Sequence, residues 1–219
     1  MWNNDTMPVN ESATFDKFYD REELSFGELP SIELRDYLLQ AGLGGKALDL
    51  GCGDGRNSLF LADAGLDVTG VDISGVGLEK LTRIAGEKGL SEHIEVVKQD
   101  VREFAYLPEE YNLVAAVTVF DHLPGYDVPG LFKKVTSSLK HGGLLYAKVH
   151  TVEDPGHTGD IAHASELHEM IQHYFEPNEL LRLAIQDYHV IWYREMPEID
   201  RSHGQPHNHA FAKVLARRT

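Results

Sequence analysis

The chain has 219 residues, a single cysteine and a formal net charge of −15, from Lys+Arg 20 against Asp+Glu 35. This charge disfavours binding to nucleic-acid phosphates or to anionic membrane surfaces, so we expect neither as a partner. No apolar run approaches a membrane span, residues 1–11 lack the profile of a signal peptide, and the lone cysteine suits a reducing compartment; we expect a cytoplasmic protein.

The N-terminal segment is polar and then aromatic. Residues 1–12 show no apolar period, whereas Thr14–Arg21 places three aromatic side chains on one face of a predicted helix. Ser31 is the predicted cap of a second helix, which glycines at 42, 44 and 45 end. We expect this segment to pack against a core domain that begins near residue 31.

A glycine-rich loop follows the first predicted strand. The apolar run that contains Asp49 ends in Gly51, Gly53 and Gly55, and a helix is predicted immediately afterwards. The third glycine comes one residue too early for a dinucleotide fingerprint. Asp49 and Asp54 disfavour a pyrophosphate and favour a ligand that carries a cation or an amine.

This stretch resembles motif I of class I S-adenosylmethionine (SAM)-dependent methyltransferases. The resemblance implies SAM as cofactor and S-adenosylhomocysteine as product. It assigns cofactor-binding roles to Asp49, Gly51, Cys52, Gly53 and Arg56, with Cys52 as a small packing residue rather than a nucleophile. On the motif alone, an ordinary glycine-rich turn of another α/β protein remains the alternative.

Acidic residues follow the next two predicted strands. Asp72 ends the second strand, 21 residues after Gly51, which is the spacing of a ribose-binding carboxylate, and Ile73 follows it. After the third strand, Ile94–Lys98, the resemblance places Asp100 at the adenine amino group and Val101 against the ring. A turn or helix cap is an equally good explanation of Asp100.

The fourth predicted strand, Asn112–Val119, is almost continuously apolar, as a strand buried on both faces should be. Thr118, Val119 and His122 lie at or just beyond its carboxyl end. Ligands of open α/β sheets bind where the carboxyl ends of the strands meet. Four strand ends therefore predict one cofactor crevice.

The remaining pattern completes the predicted fold. Helices are predicted over 127–140, 164–175 and 177–185, and strands over 144–150, 188–196 and 209–217; residues 151–163 are predicted to be an active-site loop or an insertion. We expect an α/β fold with a Rossmann-like, doubly wound, seven-stranded sheet, mostly parallel with an antiparallel last strand. It forms a single domain over 1–219, with a tail and cap segment at 1–30 and a core at 31–219.

The last third, with segments such as Phe175–Leu180 and Ala210–Arg218, resembles the tellurite-resistance branch of these enzymes. That branch methylates small thiols or metalloid oxyanions, and it commonly has a His-Arg pair before the last strand. Arg201 matches the pair, but Asp200 stands in place of the histidine. We predict that Arg201, with His207 and His209, serves the methyl acceptor.

Nine of the twelve histidines lie from His150 onward. His168 and His173 are five residues apart, about 140° around a helix, so they do not form a zincin motif. His203, His207 and His209 could bind a metal, but a flexible polar hairpin explains them better, and no metal site is predicted.

Two alternative functions remain open. One is an N- or O-methyltransferase of another small metabolite, and the other is a non-catalytic regulator that binds SAM or NAD. Phe120-Asp121-His122-Leu123 stands where amino-methylating enzymes of nucleic acids and glutamine carry Asn-Pro-Pro-Tyr or Asp-Pro-Pro-Tyr. We expect a monomer or a homodimer.

Overall fold

The computed structural model describes residues 11–159, 167–201 and 205–219. Its strands are β1 (Gly45–Leu50), β2 (Leu66–Asp72), β3 (Ile94–Lys98), β4 (Tyr111–Val117), β5 (Leu139–His150), β6 (Tyr188–Asp200) and β7 (His207–Arg218). Its α-helices are α1 (Glu11–Tyr19), α2 (Ile32–Ala41), α3 (Arg56–Asp63), α4 (Gly75–Glu87), α5 (Val128–Ser138), α6 (Pro155–Thr158) and α7 (Glu179–Ala184). None of the helices in these ranges is long and apolar enough to cross a membrane.

The seven strands form one sheet in the order β3-β2-β1-β4-β5-β7-β6. All neighbours from β3 to β5 pair in parallel, and β7 pairs antiparallel with both β5 and β6. The predicted doubly wound sheet with an inserted antiparallel last strand is confirmed. Strand order reverses at β1 and β4, where the carboxyl ends open a crevice.

Helices cover both faces of the sheet, which explains the apolar sequence of its central strands. Leu113, Val114, Ala115 and Ala116 of β4 are fully buried. Alternate residues of β4 pack into two separate clusters, one beneath α5 and α7 and the other beneath α2 and α3. A strand between two such layers has no solvent-facing side and therefore loses the polar alternation of an antiparallel strand.

Three details of the predicted elements are corrected. Residues 167–175 of the predicted helix 164–175 contain only a 3₁₀ turn at His168–Met170, and residues 160–166 lie outside the described residues. The next helix is shorter than 177–185 and begins after Asn178, which has a left-handed φ of 61°. Ser31 precedes α2, but its side chain makes no capping hydrogen bond.

The first helix lies over the cofactor edge of the sheet rather than along its side. The Asp16 carboxylate accepts from the Ser74 hydroxyl at 2.6 Å and from the Val76 amide at 3.2 Å. Phe18 and Tyr19 are buried in a small apolar cluster with Leu167. Phe15 and Tyr19 of this helix also line the crevice, and the division into a cap segment and a core stays a prediction.

Candidate active site

A crevice of about 1290 Å³, part of it open to solvent, lies at the carboxyl ends of the parallel strands. Most of the predicted cofactor residues line it: Gly51, Cys52, Gly53, Arg56, Asp72, Ile73, Asp100, Val101, Thr118, Val119 and His122. His209 also lines it, whereas Asp49, His207 and Arg201 are not among the lining residues. The residues predicted from separate strand ends therefore line one crevice together with His209, and their roles there stay predictions.

The glycine loop has a conformation that L-side chains rarely adopt. Gly51 and Gly53 have φ values of 60° and 56°. A Cβ at Gly51 would lie 2.5 Å from Cγ2 of Val119, and a Cβ at Gly53 would collide with the hydroxyl of Tyr19. Glycine is needed here both for the backbone angle and for the close approach of neighbouring groups.

The Asp72 carboxylate holds this loop in place. Its two oxygens accept from the amides of Gly53 and Ser74, each at 2.7 Å. Burial raises its pKa above the ordinary value, against the lowering effect of these amides. Because a carboxylate has about four lone-pair positions, Asp72 can still accept from a diol in the crevice while anchoring the loop.

The other two acidic residues of the motif are buried and paired with protein groups. Asp49 is buried, accepts from the Ser58 hydroxyl at 2.6 Å, and has a pKa raised to about 7 by burial. Asp54 lies 3.1 Å from the buried ammonium of Lys80. The sequence predicted two negative charges at this loop. The structure corrects this, because the ammonium of Lys80 from α4 neutralises the charge of Asp54.

Arg56 adds a cation at the start of α3. Its guanidinium donates to the carbonyl oxygen of Phe26 at 3.1 Å and lies 5.5 Å from the centroid of that ring. Burial lowers its pKa, which the nearby carboxylate of Asp200 opposes. Guanidinium in a crevice is suited to binding a carboxylate.

For Asp100 the turn-cap alternative is confirmed, and its contact with the adenine amino group stays a prediction. It caps the following turn by accepting from the Arg102 amide at 2.8 Å, and it forms a bidentate pair with the Arg102 guanidinium. This pair lowers the pKa of Asp100, against the effect of partial burial. Val101 is buried beside it and lines the crevice.

The end of β4 is strained. Thr118 has a left-handed φ of 52°, which is costly for a β-branched residue. His122 follows in a 3₁₀ turn, where its Nδ1 lies 2.9 Å from the carbonyl oxygen of Met170 and its ring contacts Phe15 edge-on. The strained turn brings Thr118, Val119 and His122 together on the crevice wall.

A histidine–carboxylate pair that the sequence did not single out lies deeper in the site. Nδ1 of His150, at the end of β5, is 2.5 Å from Oδ2 of Asp121. Burial lowers the pKa of His150, and the His150 ring lowers the pKa of Asp121 against the effect of its burial. The signal was present: His150 ends a predicted strand at the edge where the other site residues meet.

Lys148 of β5 is a second group that lines the crevice. Its side chain is half-buried two residues before His150, and its ammonium lies 3.6 Å from the centroid of the Phe211 ring and 3.4 Å from the carboxylate of Glu198. Burial lowers its pKa to about 8, helped by the neighbouring Lys213. Lys148 is therefore mainly charged at neutral pH, with a larger neutral fraction than an exposed lysine has.

The three predicted catalytic residues are spread along the β6–β7 hairpin. Arg201 follows β6 and is exposed, while His207 and His209 belong to β7. His209 is buried, with Nδ1 2.9 Å from Oδ2 of Asp154. The expectation of a flexible polar hairpin is wrong for His209, because the strand holds it against the end of β5.

Comparisons with known proteins agree with this site. Residues 47–143 match the family described as "Methyltransferase domain". A "Probable S-adenosyl-L-methionine-dependent methyltransferase TehB" from Haemophilus influenzae is 33% identical over 112 residues, which are 50% of this chain and 38% of that protein. A "Ubiquinone biosynthesis O-methyltransferase" from Actinobacillus pleuropneumoniae is 31% identical over 119 residues, 51% of this chain and 49% of that protein.

The crystal structure of TehB from Haemophilus influenzae superimposes with a TM-score of 0.72 and 24% identity, over 95% of this chain and 67% of that one. A magnesium protoporphyrin IX methyltransferase from Synechocystis, solved with bound SAH, gives a TM-score of 0.65 at 17% identity over 85% of this chain and 81% of that one. The chain spans less than half the length of the two curated relatives named above. With the motifs and topology already described, these matches show that residues 47–143 belong to the methyltransferase-domain family, and that the chain shares the fold of the TehB structure.

Proposed function

We propose that this protein transfers the methyl group of SAM to a small-molecule acceptor. The observation that carries the proposal is the crevice itself. The glycine loop, the buried carboxylate of Asp72, and the predicted adenine neighbours Asp100 and Val101 line one wall of it. The residues present fit SAM. The loop can approach a ligand closely at Gly51 and Gly53, Asp72 faces the position of a ribose diol, and Arg56 can receive a carboxylate.

When bound, SAM supplies an electrophilic methyl group, so the protein needs no nucleophile of its own. Its residues have to position the acceptor, exclude water and, for a thiol or hydroxyl, accept a proton. His150 is the best placed base. Asp121 fixes its Nδ1–H tautomer, which leaves the Nε2 lone pair to take a proton from the acceptor.

The preferred acceptor class is a small thiol or a metalloid oxyanion. Lys148 brings a cationic group to the same wall. Arg201 follows Asp200 at the end of β6, in the connection to β7. A positive field at this end would favour a thiolate or an oxyanion. The relationship to TehB proteins supports the same class.

An O-methyl acceptor is the second candidate, and the His150–Asp121 pair favours it specifically. A hydroxyl needs a base more than a thiol does, because its proton is lost less readily. The match to an O-methyltransferase supports this possibility. A regulator that binds SAM or NAD without turnover is the third.

Calorimetry with SAM, SAH and NAD, followed by an SAH-release assay, distinguishes the three. We expect binding of SAM and SAH but not NAD, and turnover with tellurite, selenite or a small thiol. Turnover only with phenolic or alcoholic acceptors would favour the O-methyltransferase. Binding with no turnover on either panel would contradict enzymatic methyl transfer.

Asp72→Ala should weaken SAM binding by about 1.5–3 kcal/mol, the range for a hydrogen bond to a charged group. The carboxylate both faces the crevice and anchors the Gly53 amide. Asp67→Ala, which removes an exposed carboxylate from the other end of β2, is the matched control. Calorimetry on both folded variants is the measurement; equal affinities would make Asp72 a structural residue only.

Arg201→Ala should lower turnover of the true acceptor at least about tenfold, or ~1.4 kcal/mol, with SAM affinity almost unchanged. The physical reason is loss of a permanently charged guanidinium at the acceptor end. His207→Ala and His209→Ala should each have a smaller effect. Steady-state kinetics check this against Arg194→Ala, which removes an exposed arginine from β6. Full activity of Arg201→Ala would limit the hairpin to a structural role.

A further inference from the structure

The β6–β7 hairpin brings two histidines and a carboxylate together at the edge of the crevice. Asp200 and His207 are cross-strand partners in the antiparallel register, and His209 lies two residues further along β7, on the same face. One nitrogen from each ring and a carboxylate oxygen of Asp200 all lie within 4.8 Å of one another. His209 and Asp200 also line the crevice.

The hydrogen bonds of the two rings fix their tautomers. Nδ1 of His207 lies 2.8 Å from the carbonyl oxygen of Gln205, which can only accept. Nδ1 of His209 lies 2.9 Å from Oδ2 of Asp154. A neutral imidazole has one N–H, so both Nδ1 atoms carry it and both Nε2 atoms present lone pairs.

These two lone pairs face each other. Nε2 of His207 and Nε2 of His209 are 3.1 Å apart, an arrangement that requires a cation between or beside them. A metal ion bound by imidazole at ~2.0–2.1 Å, with an angle of about 90–109° at the metal, separates the two nitrogens by about 2.9–3.4 Å. The observed distance falls within this interval.

The groups that accept hydrogen bonds from the two histidine rings are of the kind that usually surround the ligands of a metal site. Metal-binding histidines usually donate the second ring N–H to a carboxylate or a backbone carbonyl. Here Asp154 and the Gln205 carbonyl take those two places. Both Asp154 oxygens also accept backbone amides, from Gly156 at 2.9 Å and Ala210 at 3.0 Å, so Asp154 orients His209 and leaves the ligand role to Asp200.

We propose that Asp200, His207 and His209 bind a divalent transition-metal ion of the zinc type. Two imidazoles and one carboxylate suit first-row ions such as Zn²⁺, Fe²⁺ and Co²⁺. Three protein ligands leave positions open for water or an anion, and two of the three, Asp200 and His209, line the crevice. This site goes beyond the proposed function, because neither cofactor binding nor methyl transfer requires a metal, and it reverses the sequence-based expectation of none.

The test uses the full chain, freed of metal by a chelator and dialysed, in the absence of SAM. Titration with ZnCl₂ in a calorimeter should show about one equivalent bound, and CoCl₂ should produce visible absorption bands of a bound ion. Asp200→Asn and His207→Ala should each weaken zinc binding at least about tenfold, since each removes one of three ligands. His189→Ala is the matched control, because it removes an exposed histidine from β6 and should leave binding unchanged.

Two results would overturn the proposal. If wild type binds no zinc, the cation between the rings is a proton. If zinc binds equally well to wild type, Asp200→Asn and His207→Ala, the ion lies elsewhere, for example at His150, Asp154 and His209, which also converge within 4.8 Å. Circular dichroism of each variant shows that it is folded. Since no SAM is present, these outcomes are independent of methyltransferase activity.

Discussion

Gly53→Val should abolish measurable SAM binding, weakening it at least ~100-fold, or about 2.8 kcal/mol. The new side chain would occupy the space in which the Tyr19 hydroxyl now lies, and Tyr19 is buried with its ring against Phe18. The loop would have to move, and Asp72 would lose its bond to the Gly53 amide. Gly51→Val should have a similar effect, because it meets Val119. Calorimetry with SAM is the measurement.

Backbone strain alone has to be separated from this steric effect. Gly65 also has a positive φ, of 90°, but a Cβ there meets nothing within 4 Å, and it lies at the turn between α3 and β2. Gly65→Val should therefore lose stability to a similar degree while keeping SAM affinity. Near-wild-type affinity in Gly53→Val and Gly51→Val would exclude this loop as the cofactor site.

His150→Gln should lower kcat by a factor of about 100–10,000, the usual contribution of a general base. SAM affinity should change little, since the group acts on the acceptor. Asp121→Asn should lower kcat as well, because the amide no longer holds the same tautomer. His157→Gln, a histidine on the short helix α6 outside the crevice lining, is the control. The measurement is SAH release at saturating SAM.

The pH profile gives an independent check on His150. A base works in its neutral form, and burial lowers the pKa of this imidazole below its ordinary value of 6.5. The wild-type rate should therefore remain flat as pH falls to about 6.5 and decline only below it. If kcat is unchanged in His150→Gln, or if the pH profile of that variant declines at the same acidic pH as that of the wild type, another group is the base.

The sequence predicted the sheet because each of its signals is local. Apolar runs such as Leu113–Ala116 define buried strands, and the glycines at 51 and 53 mark a backbone turn that other residues cannot make. Strand order follows from the way βα units wind, so Asp72, Asp100 and His122 were expected at one edge. The structure places all three on one crevice.

Long-range pairing determined what the sequence could not. The Lys80 ammonium that neutralises Asp54 comes from a helix 26 residues further along the chain, and the carboxylate of Asp121 reaches His150 across 29 residues. Neither pairing produces a periodic pattern in the sequence from which it could be predicted. Residues 167–175 have enough apolar side chains for a helix, yet the Gln172 and His173 amides donate to the carbonyl oxygen of Asp121 instead.

The chain by itself therefore determined the fold and the edge of the sheet at which the glycine loop and the strand-end carboxylates meet, because backbone freedom, apolar periodicity and the position of these carboxylates depend on consecutive residues. Only the tertiary structure decided the hydrogen-bond and ion-pair partners of His150, His209 and Lys148 on β5 and β7. His209 looked like part of a polar hairpin in sequence, but the antiparallel register of β7 between β5 and β6 buries it beside His150 and Asp154. That register sets which rings face one another, and no local pattern specifies it.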